Sequence, residues 1–227
     1  MKYVLIVAWV SFAGLVAFAD VTWHHNETVT VDADINDDIY LEGTVYVKVV
    51  GGTRCLTGVI REVPGKVGKI VVVQGKLQFR KQGVGPAENE PANEYSGGVE
   101  VRGSGSVATR GTASATSSTP EKAMPFGTGL LLCDRSGAGY PMLEWMGTIA
   151  NDVLCTGARR SATSRGGKIS VPQGKTLWFS GVSIDGVPVL DGDYTKATVG
   201  NPFADYMTGD CEGMIRVCQR GFILIYR

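Results

Sequence analysis

Residues 68–79 read GKIVVVQGKLQF, and this stretch decides the fold that we predict. A run of β-branched residues is followed by Gln74-Gly75-Lys76 and by a second short apolar run that ends at Phe79. β-Branched and aromatic side chains fit the pleated surface of a sheet, and glycine supplies the positive φ that many turns require. The stretch therefore predicts a strand, a turn and a second strand.

A similar stretch recurs later in the chain, where residues 167–179 read GKISVPQGKTLWF. A recurring strand–turn–strand unit is typical of a β-solenoid, because each unit buries its apolar face only by stacking on its neighbours. The sequence thus predicts an all-β protein, a short right-handed parallel β-helix or β-solenoid. Two similar hairpins in a β-sandwich are the alternative.

The rest of the chain has the same composition, with short β-forming runs separated by glycine. Glycine accounts for 31 of the 227 residues, roughly twice its usual share. Residues 141–154 are the best helix candidate, but Gly147 interrupts them. The predicted strands outside the two similar stretches cover residues 28–31, 39–41, 44–50, 98–101, 106–109, 214–217 and 222–226.

Composition and charge exclude two classes of protein. The chain is 44% hydrophobic, and 22 basic residues balance 22 acidic ones, so its formal net charge is zero. A charge-driven disordered protein needs low hydrophobicity and a high net charge. A nucleic-acid-coating domain needs an excess of Lys and Arg. We therefore expect a globular protein with no nucleic-acid partner.

The first residues, Met1–Ala19, have the pattern of a secretory signal peptide. Lys2 precedes an apolar run, and residues 17–19 read AFA, a small-residue cleavage motif before Asp20. A membrane anchor is the alternative, but the run is at or just below the roughly 17–25 residues that span a bilayer. No later segment is apolar enough to span a membrane, so we predict a secreted or cell-surface protein, of bacterial type.

After the signal peptide, residues 20–227 are predicted to form a single β-rich domain. A long irregular insertion is expected around residues 85–125, where proline and small polar residues are frequent. A linker that divides two sub-regions near residues 111–125 is the alternative interpretation.

Five cysteines raise the question of disulfide bonds. No pair has C-x-x-C spacing and the chain has two histidines, so a zinc site is unsupported. An exported chain permits disulfides, and the spacings suggest Cys211–Cys218 and Cys133–Cys155. Cys55 is left without a partner in these two suggested pairs. The alternative is that all five cysteines are reduced and pack as small hydrophobic groups.

One acidic stretch resembles a calcium-binding loop. Asp32, Asp34, Asn36 and Asp38 supply oxygen atoms of the kind that Ca²⁺ prefers. An EF-hand requires glycine at the sixth position, which is Asp37 here, so a looser calcium site is the remaining metal hypothesis. A solvated acidic turn is its alternative. We expect no other cofactor.

No catalytic residues are predicted, and the protein is not expected to be an enzyme. His24 and His25 are the only histidines, and a Ser–His–Asp triad would place one of them at a terminus that we expect to fray. A glycosidase needs two carboxylates at a set separation, and nothing pairs the acidic residues of 32–38 across a cleft. Trp23, Trp145 and Trp178 could stack on sugars, although buried core aromatics are commoner.

The last sixty or so residues carry a resemblance to a known family. Residues 182–195 read VSIDGVPVLDGDYT, and residues 208–217 read TGDCEGMIRV. Both resemble the closing segment of secreted bacterial β-helix proteins of the autotransporter-associated β-strand-repeat kind. Members of that family usually have many more coils, and Cys211 and Cys218 are unusual among them. The resemblance implies an autotransporter-like, adhesin-like surface protein with no known chemistry.

These observations together predict a secreted, non-catalytic, β-rich structural or adhesive surface protein. Its expected partners are extracellular glycans or other cell-surface components. The alternative is an extracellular carbohydrate-binding or carbohydrate-cleaving β-helix module, since β-helices commonly bind polysaccharides along a groove.

Overall fold

The structure is a computed structural model that describes residues 20–80, 93–110, 125–134, 141–144, 148–156, 169–208 and 211–217. Within these ranges the chain forms strands and turns and no helix, so the all-β prediction is confirmed there. The helix candidate 141–154 contains strands instead. The predicted signal peptide Met1–Ala19 and the predicted strand 222–226 lie outside the described residues.

The strands are short, apart from five that have nine or more residues. In chain order they are β1 Val21–Trp23, β2 Thr28–Val31, β3 Ile39–Leu41, β4 Thr44–Leu56, β5 Ile60–Glu62, β6 Lys69–Arg80, β7 Val99–Arg110, β8 Leu131–Asp134, β9 Met142–Glu144, β10 Thr148–Thr156, β11 Ile169–Ser170, β12 Thr176–Ile184, β13 Val187–Pro188, β14 Gly192–Tyr194 and β15 Met214–Val217.

Most of the strand pairs are parallel. The large sheet has the order β14-β15-β12-β10-β8-β7-β6-β4-β2, and β9, β11 and β13 pair beside this path. A second sheet has the order β1-β3-β5 and is parallel throughout. Among the described strands, only two pairs are antiparallel: β12 with β13, and β14 with β15. Parallel strands cannot be joined by tight hairpins, so each pair needs a longer excursion of the chain.

The register of these pairs builds the core. Every second residue of a strand points to the same face, so residues in register on neighbouring strands form rows. One buried row crosses six strands through Val45, Ile70, Val99, Leu131, Val153 and Val182. A second inward row, two residues further along, contains Val47, Val72, Val101, Cys133, Cys155 and Ile184. The side chains between these rows point outward.

The predicted turn at Gln74-Gly75-Lys76 does not fold the chain back on itself. Strand β6 continues through it, and both halves pair with β4 on one side and β7 on the other. The pairing shifts register near this point, and Gly75 has a φ of +71°. Pairing with β4 and β7 occupies the backbone of β6 on both sides of the bend, so the two halves of β6 do not pair with each other.

The second similar stretch folds differently from the first. Gly167 and Lys168 lie outside the described residues, and β11 ends at Ser170, just before Val171-Pro172. A turn follows, closed by a hydrogen bond from the Lys175 N–H to the Pro172 carbonyl (3.1 Å), and β12 begins at Thr176. Proline has no N–H to donate to a neighbouring strand. Strand pairing therefore stops before Pro172, whereas β6 stays paired through the corresponding part of the first stretch.

Two further elements bear on the predictions. Strand β7, Val99–Arg110, joins the predicted strands 98–101 and 106–109, and residues 85–92 and 111–124 of the predicted insertion 85–125 lie outside the described residues. Strands β12 and β13 form a hairpin across Asp185-Gly186, whose φ values are +48° and +82°. Positive φ at both central residues is the geometry that favours Asp-Gly in a two-residue hairpin.

Candidate functional site

Three consecutive turns, after β1, β3 and β5, stack on one another and line an open cleft. Backbone hydrogen bonds hold the turns in register: the Glu42 N–H donates to the Trp23 carbonyl (2.9 Å), and the Lys69 N–H donates to the Gly43 carbonyl (3.0 Å). The cleft has a volume of about 590 Å³. Its lining includes His24, His25, Glu42, Thr44, Lys66 and Lys69.

Both histidines are held in this cleft by specific contacts. Nδ1 of the His24 ring lies 2.7 Å from Oε2 of Glu42. The backbone N–H of His24 donates to Oε2 of Glu27 at 2.9 Å. The His25 Nδ1 accepts a hydrogen bond from the Thr44 N–H at 3.2 Å. The segment that we expected to fray is therefore tied to the turn that follows β3.

The His24–Glu42 pair favours the charged form of both groups. The hydrogen bond to the Glu42 carboxylate raises the pKa of His24, and the same bond lowers the pKa of Glu42. The side chains are 66% and 39% exposed, so solvent and ligands reach both. The cleft thus combines a readily protonated imidazole with the exposed cation of Lys66.

Lys69 connects the cleft to the outward face of the large sheet. Its Nζ contacts Glu100 Oε2 at 2.7 Å, and Arg102 Nη1 lies 3.5 Å from Glu100 Oε1. The Arg102 guanidinium also lies over the ring of Tyr46, 5.1 Å from its centroid. Glu100 is 8% exposed, and its carboxylate is held between two cations that remain more accessible.

Three of the residues proposed for calcium accept hydrogen bonds from residues 55–59, which follow them in the chain. Asp34 Oδ1 accepts from the Cys55 N–H (2.9 Å), and Asp38 Oδ1 accepts from the Val59 N–H (2.8 Å). Asn36 Oδ1 accepts from the Thr57 hydroxyl at 2.5 Å. Each acceptor lies 21 positions before its donor, so these side chains act as regularly spaced bridges.

Asp32 is exposed at the start of this stretch. Across the described residues, no group of three or more His, Cys, Asp or Glu side chains is arranged to hold a metal ion. The calcium site at Asp32, Asp34, Asn36 and Asp38 stays a prediction.

Asp38, and Glu62 at the end of β5, each hold neighbouring turns and strands together. Burial raises the pKa of Asp38, but the hydrogen bonds from Arg61 and from the Val59 N–H outweigh it and leave the pKa lowered. Glu62 follows the same pattern: burial raises its pKa, and donors from Gly68 and Ser96 lower it further than burial raises it. The Glu62 Oε2 accepts from the Gly68 N–H, the Ser96 N–H and the Ser96 hydroxyl, each at 2.9 Å.

The tryptophans occupy different environments. Trp23 is buried at 3% exposure, and Trp145 lies outside the described residues. Trp178 is half-buried, and the Arg216 guanidinium lies over its ring at 4.5 Å from the centroid. Arg216 also pairs with Asp193, with Nη2 and Oδ2 at 2.5 Å, and this contact lowers the pKa of Asp193.

The cysteines lie mostly in the core. Cys133 and Cys155 are register partners on the neighbouring parallel strands β8 and β10, and both are fully buried. Cys55 and Cys211 are also buried, whereas Cys218 lies outside the described residues. The pairings Cys133–Cys155 and Cys211–Cys218 stay predictions.

Sequence reasoning missed the acidic partners of His24, which are Glu27 and Glu42. His24 and Glu42 are 18 positions apart, the same separation as the register pair Val29 and Val47. The separation between later register partners varies, so no fixed period in the sequence reveals which side chains meet.

No protein-family model, curated protein or solved structure matches this chain. Within the described residues, no helix has the length and apolar character needed to cross a membrane.

Proposed function

We propose that the chain is a short right-handed parallel β-solenoid that serves outside the cell as a non-catalytic structural or adhesive surface protein. The observation that supports this architecture is the register of the parallel strand pairs. The register partners in parallel pairs are separated in sequence by between 18 positions, as for Val29 and Val47, and 38 positions, as for Leu177 and Ile215. A chain that winds in coils returns to the same place once per coil, which produces pairing of this kind.

The state of the carboxylates supports the non-catalytic role. A glycosidase needs a general acid whose pKa is raised, so that it still carries its proton at working pH. Among the described carboxylates, the pKa values of Asp38, Glu42, Glu62 and Asp193 are the shifted ones, and all four are lowered by their partners. Each of these groups is ionised at neutral pH and engaged in a structural contact.

The purified protein tests this role in two parallel measurements. Binding to a glycan array and to intact bacterial cells reports adhesion, and a reducing-sugar assay on the same polysaccharides reports cleavage. We expect binding without the release of reducing ends. Turnover of any polysaccharide would overturn the non-catalytic role.

A carbohydrate-binding module without a structural role is the second candidate, and Trp178 is the observation that favours it. The indole is half-buried, with Arg216 over one ring face and Asp193 paired to the same guanidinium. An aromatic ring beside fixed polar groups is a common platform for sugars. On the array, loss of all glycan binding in Trp178→Ala, with cell binding lost as well, would favour this candidate.

A further inference from the structure

We propose that the cleft and the adjoining outward face of β4, β6 and β7 form one binding surface for an anionic glycan, a sugar chain that carries carboxylate or sulfate groups. The inference rests on the proposed adhesive function and names the class of ligand. We call this surface the basic strip, and it consists of His24, His25, Tyr46, Lys48, Lys66, Lys69 and Arg102.

The charge of the basic strip differs from that of the whole protein. The chain is neutral overall, but the strip carries four permanent cations, at Lys48, Lys66, Lys69 and Arg102. Its carboxylates are already engaged: Glu42 with His24, Glu100 with Lys69 and Arg102, and Glu27 with the His24 N–H.

The excess positive charge of the strip is accessible. Lys48 and Lys66 are exposed, and neither has an ion-pair partner among the described residues. Cations without partners on an otherwise neutral surface attract an anionic ligand.

The length of the strip favours a polymer over a small ion. Lys69 is in register with Thr44, and Lys48 lies four residues further along β4. At about 3.3 Å per residue, these two cations mark the ends of a strip roughly 13 Å long. The Lys66 ammonium extends it into the cleft of about 590 Å³. A chain with regularly spaced anionic groups can contact both ends together, whereas a single phosphate or sulfate ion cannot.

The preference for sugar over nucleic acid follows from the surface chemistry. Tyr46 offers an aromatic ring on the strip, but Arg102 lies over it, so bases have no pair of open aromatic faces on which to stack. Glu27, Glu42 and Glu100 lie beside the strip and leave it a small net positive charge, which suits the sparse charge of a polyuronate better than the dense phosphate charge of a duplex.

The test measures binding of the purified full chain to four polymers: polygalacturonate, a sulfated glycan, neutral dextran and duplex DNA. We expect binding to polygalacturonate or the sulfated glycan, weakened by added salt, and none to dextran. Comparison of the two anionic glycans identifies whether carboxylate or sulfate is preferred. The variant Lys48→Gln/Lys66→Gln should bind the preferred glycan about tenfold more weakly, since it loses two ionic contacts.

A matched control removes the same charge elsewhere. Lys175→Gln/Lys196→Gln changes two exposed lysines outside the strip and should bind like the unaltered protein. Equal weakening in both double variants would overturn the basic strip as the site, and so would duplex DNA that binds as tightly as the glycans. Binding to cells or dextran alone would overturn the inference and leave the adhesive role intact, whereas release of reducing ends would overturn the proposed function itself.

Discussion

His24 and Glu42 are the residues at which pH acts most directly on the described part of this protein. The imidazole and the carboxylate are 2.7 Å apart, and each favours the charged form of the other. The raised pKa of His24 gives stability that is present below pH 6.5 and is lost as the pH rises through the folded-state pKa. The lowered pKa of Glu42 gives stability that is present above pH 4.5 and is lost as the pH falls through its folded-state pKa.

The pair is therefore expected to stabilise the fold most strongly between about pH 4.5 and pH 6.5. The variant Glu42→Gln should lower the melting temperature most within this window, and less as the pH rises through the folded-state pKa of His24 and the imidazole loses its charge. Thermal unfolding followed by circular dichroism between pH 4 and pH 8 measures the difference. A difference that is the same at pH 5.5 and at pH 8 would contradict the ionic nature of the contact.

At the scale of the element, β6 illustrates what the sequence predicts and what it leaves open. The apolar alternation of residues 69–79 predicts the strands, because inward positions such as Ile70 and Val72 need burial. It does not predict that the strand continues through Gly75, since the same Gly signal marks a hairpin turn or a bend. The choice depends on β4 and β7, which lie on either side and are distant in sequence.

Gly75 and Gly174 provide a matched test of this bend. Both have a φ near +70°, but a Cβ at Gly75 would lie 2.3 Å from the Val49 carbonyl oxygen, whereas a Cβ at Gly174 would meet nothing within 4 Å. Gly174→Ala should destabilise the protein by about 1 kcal/mol through backbone strain alone. Gly75→Ala should cost at least about 2 kcal/mol, because β4 must also move.

Urea denaturation of both variants measures these costs as shifts in the midpoint. Equal shifts would mean that the close approach of β4 and β6 at Gly75 has no energetic importance.

At the scale of the whole molecule, the stability depends on one apolar core that the parallel strands share. Rows of Val, Leu and Ile run across the large sheet, and aromatic residues fill the space between strands and turns. The rings of Phe79 and Phe126 pack edge to face at 5.1 Å, and both are fully buried. The sequence predicts the inward residues of single strands, but such contacts between distant segments need the register.

Phe79→Ala should therefore destabilise the protein by about 3–5 kcal/mol, through lost burial and the cavity that remains. Val67→Ala is the control, because Val67 is 65% exposed and should cost less than about 0.5 kcal/mol. Chemical denaturation followed by tryptophan fluorescence measures both. A small effect at Phe79 would mean that the two rings do not pack in the folded protein.

The two ends of the large sheet differ in a way that matters for self-association. At one end, the antiparallel strand β14 covers β15. At the other, β2 reads TVTV and pairs only with β4 among the described strands, and it contains no lysine, proline or bulge. Lysine, proline and bulges are the features that usually prevent an edge strand from pairing with another chain. Growth by strand addition would therefore be directional and would start at β2.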